Sequence, residues 1–489
     1  MVHWGISALS HDASLAVVDD DRILFAAHAE RYSRRKNDAL LHQGLIDEAL
    51  AFGVPERIAW YERPMLKKLR HLRAGQWKDA ATAEDLPGRY LRSLDLPFRV
   101  PDIEFADHHA SHAAAGFATS GFEDAVVIVA DSIGEFRTFS IAEYDRAGEV
   151  RLLHARSYPH SLGLLYSAFT KRCGFKPNED EYIVMGMAAL GSPVHVDRIR
   201  EELLEITPPS FRLKLNPHHG IGDWMADAKA EDLAASIQAV LEEVMVGAAV
   251  WARGRSDSRN LILGGGVALN CAANAKIARQ AGFDDVWIFP NPGDAGSSVG
   301  AVAAVRGGRL RWEGPYLGTA IEGEYPVDAL VEELASNGIA AVASGRAEFG
   351  PRALGNRSLL ADPRPADMKD RVNVVKGREP FRPFAPIVRA ERAHELFDMP
   401  VQASPYMQFV APCRFPDEYP SIIHLDGTSR VQTVARDEHP GLYRLLEAWE
   451  AETGCPLLLN TSLNVKGEPL VNTRDDAERF QAANGVRVY

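Results

Sequence analysis

The sequence predicts an α/β protein with a two-lobed first domain followed by a smaller second α/β domain. A strand that ends in a carboxylate next to a glycine occurs twice, at Asp131 and at Asp294. This repetition is typical of two similar α/β lobes that face each other across a cleft. The composition then changes, and a basic segment rich in glycine and proline begins. The predicted divisions are 1–312 for the first domain, 313–324 for a linker and 325–489 for the second domain.

Composition excludes several classes of protein. The chain has 489 residues, of which 46% are hydrophobic, so it can bury a large core. Its four cysteines form no Cys-x-x-Cys pair, which argues against a disulfide scaffold or a zinc finger and predicts a reduced, cytoplasmic protein. No apolar run approaches about 20 residues, so we expect no membrane partner. A net charge of -13 argues against a nucleic-acid partner.

The first residues predict two strands joined by a turn at Asp19 to Asp21. A polar stretch, from His11 to Ser14, interrupts the first of these strands. It resembles the opening hairpin of actin-like ATPase folds, in which the first turn faces phosphate or substrate, although an ordinary loop remains open. The charged stretch that follows is typical of a solvated face, but it could also present Lys36 to a reacting group.

A pair of histidines precedes the first buried strand. If the stretch around them is helical, His108 and His112 lie on one helix face about 5 to 6 Å apart at Cβ. The apolar run that follows, residues 125–130, predicts a strand that ends at Asp131. Two imidazoles and a carboxylate suit Fe²⁺, Mn²⁺ or Zn²⁺ better than Ca²⁺. A polar helix face and a turn-forming aspartate are the structural alternatives.

Glycines mark a candidate nucleotide site. An amphipathic helix is predicted over residues 231–245, and the strand 260–263 then enters Gly264, Gly265 and Gly266. Three glycines between a strand and a helix let backbone N–H groups approach a phosphate or ribose. After the next strand Asp294 opens a helix of small residues, where it could bind a metal. We therefore expect ATP and a metal in a cleft between two lobes.

The second domain carries a concentration of positive charge. Between Arg346 and Arg389 there are ten basic residues and five acidic ones, a local excess of five in an acidic chain. Glycine and proline surround many of these arginines, and a rigid backbone favours a preorganised anion site over a solvated surface cluster. Asn460, Ser462 and Asn464 follow a late apolar run and offer uncharged hydrogen-bonding groups suited to an acyl phosphate or adenylate.

Taken together, these motifs resemble the O-carbamoyltransferase family of antibiotic and nodulation-factor biosynthesis, and they extend over nearly the whole chain. That family combines a domain similar to the tRNA threonylcarbamoyl-transfer ATPase (TsaD-like) with a smaller YrdC-like domain. The matching motifs are His11–Ser14, Glu30–Arg31 with Lys36, Tyr61–Pro64, His108–His112, Asp131 with Gly134–Glu135, Gly264–Asn270, Gly293–Asp294, Gly345–Arg357, Arg378–Phe384, Asp426–Arg430 and Asn460–Asn464.

The resemblance implies a two-step reaction. The second domain would convert carbamoyl phosphate and ATP, with its Mg²⁺, into carbamoyl-adenylate, and the first domain would pass the carbamoyl group to a hydroxyl. The implied anion and acyl ligands are Arg352, Arg357, Lys376, Arg378, Arg430, Asn460, Ser462 and Asn464. The implied nucleotide contacts in the first domain are Gly134, Gly264, Gly265, Gly266 and Asn270. The implied ligands of Fe²⁺, or of a similar ion, are His108, His112, Asp131 and Asp294.

Two residues are implied for the transfer step itself. His11 would act as general base toward the acceptor hydroxyl, and Lys36 would stabilise the carbonyl. The acceptor stays open among a sugar, a polyketide, an aminoglycoside and a hydroxymethylated nucleoside, and a homodimer would be unsurprising. A tRNA-modifying ATPase and a noncatalytic nucleotide-binding module are the rival functions. A His-x-x-x-His metalloprotease is disfavoured, because His109 stands where a glutamate base is needed.

Overall fold

The structure is a computed structural model that describes residues 1–82, 86–378, 382 and 384–489. Within these ranges the chain is a mixed α/β protein with several sheets, three of which have five strands each. This confirms the predicted α/β class. Four residues of the predicted motif Arg378–Phe384, namely Glu379, Pro380, Phe381 and Pro383, lie outside the described residues.

The first lobe contains the first five strands of the chain. Its elements are β1 (Val2–Ser7), β2 (Ser14–Asp19), β3 (Arg22–His28), α1 (Glu30–Ser33), α2 (Gln43–Leu50), β4 (Arg57–Trp60), α3 (Pro64–Arg73), α4 (Trp77–Ala81), α5 (Pro87–Ser93) and β5 (Ile103–Phe105). The sheet order is β3-β2-β1-β4-β5, with β1 antiparallel to β2 and parallel to β4. The predicted turn at Asp19 to Asp21 joins β2 and β3, and the stretch from His11 to Ser14 lies between β1 and β2.

The second lobe follows α6 (His108–Thr119). Its elements are β6 (Ala125–Ala130), β7 (Arg137–Tyr144), β8 (Val150–Ser157), α7 (Leu162–Arg172), α8 (Glu181–Met187), α9 (Val196–Glu202), β9 (Leu204–Thr207), β10 (Ser210–Leu213), α10 (Ala230–Arg253), β11 (Asn260–Gly264), α11 (Cys271–Gln280), β12 (Asp285–Ile288) and α12 (Ser297–Arg306). The large sheet has the order β12-β11-β6-β7-β8, and β9 pairs with β10 in a separate hairpin.

The two large sheets have the same topology. In each, the first strand of the lobe pairs antiparallel with the next strand on one side and parallel with a later strand on the other. The matching orders are β3-β2-β1-β4-β5 and β8-β7-β6-β11-β12. Each lobe therefore ends with two parallel strands and a helix, and the helices α6 and α12 occupy equivalent places. The repeated strand and carboxylate in the sequence do not mark this duplication, because Asp131 and Asp294 both follow strands of the second lobe, β6 and β12.

The equivalent helices α6 and α12 pack closely against each other and against the opposite sheet. A Cβ atom on Gly300 of α12 would lie 1.9 Å from the backbone oxygen of Ser111 in α6. A Cβ atom on Gly5 of β1 would lie 1.8 Å from the backbone oxygen of Ser298. Real Cβ contacts are never this short, so only glycine allows the two lobes to meet this tightly.

The longest helix of the second lobe is α10, which contains the predicted amphipathic helix 231–245. It is long and apolar enough to cross a membrane by length and composition, but most of it is buried inside the protein. Leu233, Ile237 and Val240 are fully buried in the core of this lobe. These contacts explain the apolar composition of α10 as that of a core helix.

The C-terminal domain is built on a third five-stranded sheet. Its elements are β13 (Tyr316–Ile321), α13 (Val327–Asn337), β14 (Ile339–Ala343), β15 (Gly345–Glu348), β16 (Arg357–Ala361), α14 (Met368–Lys376), β17 (Ala385–Arg389), α15 (Ala393–Leu396), β18 (Val410–Pro412), β19 (Thr428–Arg430), β20 (Gln432–Val434), α16 (Pro440–Thr453), β21 (Leu457–Ser462) and α17 (Arg474–Asn484). The sheet order is β14-β16-β21-β17-β20, with β21 at the centre and antiparallel to both neighbours.

The predicted linker 313–324 is corrected by the structure. Residues 316–321 form β13, which pairs antiparallel with β15 and lies against β3 of the first lobe. The segment Tyr-Leu-Gly-Thr-Ala-Ile buries Leu317 and Ile321. The turn residues that suggested a linker, Gly314, Pro315 and Gly323, only flank the strand. The C-terminal domain is thus attached to the first lobe by a paired strand.

Candidate active site

A cluster of four metal-type side chains lies where the two lobes meet. His108 and His112 stand one turn apart at the start of α6, and their Nε2 atoms are 3.1 Å apart. The helix begins there because Asp107 accepts a hydrogen bond from the N–H of Ala110 at 3.0 Å and so caps its first turn. The adjacent His109 faces Ser140 instead, at 2.8 Å. The structure thus places the predicted histidine pair on one face of a helix.

Two carboxylates complete this cluster. Asp131 directly follows β6, and its Oδ2 lies 3.2 Å from Nε2 of His108. Asp294 begins the turn before α12, and its Oδ1 lies 3.3 Å from Nε2 of His112 and 3.6 Å from that of His108. One donor atom from each of the four residues lies within 4.8 Å of all the others. The chain brings together all four predicted metal ligands.

Neighbouring groups fix the orientation of these ligands. The N–H of Gly266 donates to Oδ1 of Asp131 at 3.0 Å, which leaves Oδ2 to face the histidines. The Nδ1 atom of His112 lies 3.2 Å from the hydroxyl of Ser297. A Cβ atom on Gly134 would lie 2.2 Å from the ring of His108, so that position must be glycine. Such outer contacts hold metal ligands in place and set their basicity.

The charges in the cluster favour a bound cation. Burial lowers the pKa of His108, but Asp294 and Asp131 outweigh it and raise the pKa to about 9. Burial raises the pKa of Asp131, but its hydrogen bond to His108 and the charges of both histidines hold that pKa well below its usual range. Two nitrogen and two oxygen donors about 2.1 Å from one ion would lie roughly 3.0 to 3.5 Å apart. The shorter separations, 3.1 to 3.3 Å, lie in this range, whereas the 3.6 Å between His108 and Asp294 and the 3.9 Å between His112 and Asp131 would have to shorten around one divalent ion.

The predicted transfer residues lie on neighbouring loops of the first lobe. Nδ1 of His11 is 3.2 Å from a carboxylate oxygen of Asp12, and Nε2 is 3.1 Å from the backbone oxygen of Asn178. Burial lowers the pKa of His11, but the carboxylate of Asp12 outweighs it and raises the pKa to about 9. The ammonium of Lys36 lies over the ring of Tyr182, 5.6 Å from its centroid. Below this pKa both ring nitrogens of His11 carry a proton, and each can donate a hydrogen bond to its partner.

Arg352 and Arg430, two of the predicted anion ligands, lie close enough in the C-terminal domain for their charges to interact. Both side chains are half-buried, and within the described residues neither guanidinium has a hydrogen bond or an ion pair. Burial and the nearby charge of Arg430 lower the pKa of Arg352 to about 9, and burial also lowers the pKa of Arg430. Two adjacent cations without a counterion suit a bound phosphate.

The predicted residues Lys376, Ser462 and Asn464 form one hydrogen-bonded group at the end of β21. The ammonium of Lys376 donates to the hydroxyl of Ser462 at 2.9 Å, to the side chain of Asn464 at 2.6 Å and to the backbone oxygen of Ser462. Burial and the charges of Arg378, Arg382 and Lys36 hold the pKa of Lys376 well below its usual range. An anion bound beside Lys376 would offset the charges of these cationic neighbours and raise the pKa of Lys376.

Arg378 lies beside this group. Its Nε donates to the side chain of Asn373 at 2.8 Å, and its guanidinium lies over the ring of Phe384. Arg382 lies over the ring of Tyr182 in the second lobe, 4.8 Å from its centroid. Since Lys36 contacts the same ring, Tyr182 joins the first lobe, the second lobe and the C-terminal domain. The sequence did not indicate Tyr182, because a single aromatic residue on a short helix carries no pattern.

The structure corrects the prediction for Arg357. This side chain is fully buried, and it donates to the backbone oxygens of Thr319, Ser344, Gly345, Asn356 and Asn472. Its Nε, NH1 and NH2 groups are all used in these bonds. Arg357 therefore holds loops of the C-terminal domain together and has no hydrogen-bonding group directed at a phosphate. The motif around Arg357 suggested anion binding because flanking glycines are common to both roles.

The structure also corrects the prediction that Asn270 contacts a nucleotide. Its side-chain oxygen accepts from the N–H of Ala273 and caps α11, and its amide pairs with that of Gln238 through two hydrogen bonds. The structure gives this asparagine a role in packing α11 against α10. Gly264 ends β11, and Gly265 has a φ of 81° and passes so close to Ala130 that a Cβ would lie 2.3 Å from its oxygen. Nucleotide contacts of Gly134, Gly264, Gly265 and Gly266 stay predictions.

Comparisons with known proteins show the family to which the chain belongs. The family profile described as "Carbamoyltransferase N-terminus" matches residues 89–303, and the one described as "Carbamoyltransferase C-terminus" matches residues 331–489. An uncharacterized protein of Synechocystis is 35% identical over 97% of this chain and 93% of its own length. Nodulation protein NolNO of Sinorhizobium fredii is 33% identical over 96% of this chain and 76% of its own.

Among solved structures, the activator of 2-hydroxyisocaproyl-CoA dehydratase from Clostridium difficile with bound ADPNP is 13% identical. It aligns with 63% of this chain and 95% of its own at a TM-score of 0.34, which is too low to establish a shared fold. The assignment therefore depends on the sequence matches. Both halves of the family profile are matched in order, and relatives above 30% identity align over almost the entire chain. The chain belongs to the carbamoyltransferase family and is a transferase.

Proposed function

We propose that this transferase is an ATP-dependent O-carbamoyltransferase with two separate reaction centres. The observation that carries this proposal is the pair of half-buried guanidiniums of Arg352 and Arg430 in the C-terminal domain, which have no hydrogen bond or ion pair among the described residues. Two such neighbouring positive charges favour an anionic ligand, and carbamoyl phosphate and the phosphates of ATP supply one. The four-donor cluster between the lobes then forms the second centre.

In the first step the C-terminal domain, which we take to be YrdC-like, would form carbamoyl-adenylate. Carbamoyl phosphate and ATP give carbamoyl-adenylate, inorganic phosphate and pyrophosphate, and atom balance requires one water. Arg352 and Arg430 would bind the phosphate groups, while Lys376 would lie beside the acyl group. Ser462 and Asn464 hold the ammonium of Lys376 in place at the end of β21. A cation fixed before the reaction stabilises developing negative charge without rearrangement.

In the second step the carbamoyl group would pass to a hydroxyl at the lobe interface. His108, His112, Asp131 and Asp294 would hold a divalent ion, with Fe²⁺ preferred and Mn²⁺ or Zn²⁺ as alternatives. When bound, such an ion supplies Lewis-acid stabilisation of negative charge on oxygen. The acceptor oxygen attacks the carbamoyl carbon, the bond to AMP breaks, and the hydroxyl proton leaves.

His11 and Lys36 would serve this transfer step. Nε2 of His11 could accept the hydroxyl proton once it has lost its own proton and left the backbone oxygen of Asn178, which it faces at 3.1 Å. Asp12 on Nδ1 would hold the ring in the required orientation. Lys36 would stabilise the carbonyl oxygen, since its ammonium contacts only the ring of Tyr182 among the described residues.

The duplicated sheet supports ATP use in this scheme. Two equivalent lobes with their parallel strand ends facing one cleft form an architecture in which nucleotides bind, as in actin-like ATPases. ATP would carry its Mg²⁺ into the reaction. We further propose a cytoplasmic enzyme that acts on a small-molecule hydroxyl of a sugar, a polyketide, an aminoglycoside or a hydroxymethylated nucleoside. A homodimer is compatible with this function.

Pyrophosphate release from ATP tests the proposal. The wild-type enzyme, loaded with metal, should release pyrophosphate only when carbamoyl phosphate is present, and Arg352→Met should abolish this release. Arg414→Met is the matched control, because Arg414 is an exposed arginine of the same domain. If no pyrophosphate forms with carbamoyl phosphate across a panel of acceptors, the two-step scheme is wrong. Modification of a transfer RNA in the same assay would instead favour the rival tRNA-modifying activity.

A further inference from the structure

Asn460 presents a buried acceptor atom that nothing in the described protein satisfies. Its side chain is 1% exposed, and its Oδ1 atom has no hydrogen-bond partner among the described residues. A buried carbonyl oxygen without a donor is costly, and native proteins keep few of them. A donor that arrives with a ligand would satisfy this atom.

The orientation of this amide is fixed by its neighbours. The amide nitrogen of Asn460 donates to the side-chain oxygen of Gln432 at 2.7 Å and to the backbone oxygen of Ala353 at 3.2 Å. Gln432 is oriented in turn, because its own amide nitrogen donates to the backbone oxygen of Leu354 at 3.0 Å. Both acceptors that Asn460 faces lack a proton to give. The nitrogen of Asn460 must therefore point to them and its oxygen away from them.

Chain connectivity places Asn460 near Arg352 and Arg430. Ala353 follows Arg352, and Gln432 lies two residues after Arg430 along neighbouring strand segments. On β21, Asn460 and Ser462 are two residues apart and so lie on the same face of the sheet. Ser462 contacts Lys376 on that face. Asn460 thus lies among the residues to which the proposed function gives carbamoyl phosphate.

We propose that the side-chain oxygen of Asn460 accepts a hydrogen bond from the amino group of carbamoyl phosphate and so selects a carbamoyl over an acyl phosphate. This inference rests on the proposed function and names the group that distinguishes its substrate. An acetyl phosphate has a methyl group where carbamoyl phosphate has NH₂, so it fits the same space but offers no proton. Arg352 and Arg430 treat both phosphates alike. Gln432 is a positioning residue, because it holds the amide of Asn460.

The test compares two stable ligands that differ only at this group. Phosphonoacetamide carries the amino group, and acetonylphosphonate carries a methyl group in its place. Calorimetric titration of the full-length enzyme should show that wild type binds the amide about 10- to 100-fold more tightly, as expected for one buried acceptor left unpaired. Asn460→Leu should bring this ratio close to one while the affinity for acetonylphosphonate stays within about threefold of wild type.

Two further variants separate recognition from structural damage. Gln432→Leu should lower the ratio without abolishing it, since the amide of Asn460 would then be free to turn. Asn337→Leu, at an exposed position of the same domain, should leave the ratio unchanged. A role in structure alone would weaken both ligands equally in Asn460→Leu.

The titration of the wild-type enzyme tests the assignment of Asn460 even if the variants do not fold. Equal affinity of wild type for the two ligands, including no measurable binding of either, would overturn the assignment of Asn460. Pyrophosphate release that depends on carbamoyl phosphate would still stand in that case, so the proposed function and this inference can fail independently.

Discussion

Nε2 of His112 and Oδ1 of Asp294 lie 3.3 Å apart, although α6 follows the sheet of the first lobe and α12 that of the second. The two residues come from equivalent places in a duplicated topology. A metal ion between them would tie the lobes together, and any opening of the lobes would pull its ligands apart. The contact between the lobes thus brings the candidate metal ligands together.

Replacement of Asp294 with alanine should remove the metal without unfolding the protein. The variant loses one of two carboxylates, and Asp294 is the most exposed of the four ligands, with 18% of its side chain exposed. We expect metal content to fall at least tenfold and carbamoyl transfer to fall at least about a hundredfold, as is common when a ligand is lost. Elemental analysis after dialysis, with Asp284→Ala as an exposed control, measures this. Full metal content in the variant would refute the assigned site.

Gly134→Ala should weaken the metal site through His108. The added Cβ would lie 2.2 Å from the His108 ring, which must then turn away from Asp131 and Asp294. We expect a loss of metal affinity of about 10- to 100-fold with little change in melting temperature. Gly254→Ala is the matched control, since its Cβ would come no closer than 3.6 Å to another atom. Unchanged metal affinity in Gly134→Ala would show that His108 is not held as described.

Arg357→Met should destabilise the protein rather than remove an anion ligand. The variant leaves backbone oxygens such as those of Thr319 and Asn472 without their donor in a buried region. The free energy of unfolding should fall by about 3 kcal/mol, as measured by denaturant titration. Arg352→Met should instead keep its stability and lose phosphate binding. A stable Arg357→Met variant that loses phosphate binding, with a destabilised Arg352→Met variant, would mean that the two arginines have the opposite roles.

Carbamoyl transfer should accelerate with rising pH if His11 is the base. Asp12 raises the pKa of His11 to about 9, so only the small deprotonated fraction is active at neutral pH. The transfer rate should rise about tenfold per pH unit below that value and level off above it. Asp12→Asn should move the inflection to lower pH, because it removes the charge that raises the pKa.

The pH profile must be recorded with metal content measured at each pH. The pKa of His108 is also raised to about 9, and a protonated histidine does not bind metal, so metal loss at low pH could imitate the profile. A rate that stays flat over the same range in fully loaded enzyme would exclude His11 as the base.

The sequence was sufficient to predict those features for which residue type and spacing indicate the same structure. The four residues of the candidate metal cluster could be predicted to lie together because two of them are one helical turn apart and the others each follow a strand. The strand of residues 125–130 was predicted with the bounds that β6 has. The duplication of the lobes could not be derived from those two carboxylates, because both follow strands of the second lobe. The pairing of strands distant in sequence leaves no local signal.

The roles of the residues in the C-terminal domain could be assigned only from contacts in the folded structure. Arg352 and Arg357 stand in the same motif, yet Arg352 has no hydrogen-bond or ion-pair partner among the described residues, whereas Arg357 donates to five backbone oxygens. No local pattern separates these roles, because both need a rigid loop around a guanidinium. Gln432 likewise matters through its bond to Asn460, 28 residues away along the chain. The strand β13 was missed because glycine and proline at its ends dominated the interpretation of the segment.

The central claim is that activation and transfer occur at two separate centres, and one pair of variants tests it most directly. Pyrophosphate release and carbamoyl transfer should be measured in parallel, with ATP and carbamoyl phosphate, for His112→Ala and Arg352→Met. We predict that His112→Ala keeps pyrophosphate release within about threefold of wild type while transfer is lost, and that Arg352→Met loses both. Loss of pyrophosphate release in a folded His112→Ala variant would contradict the account, because activation would then need the metal centre.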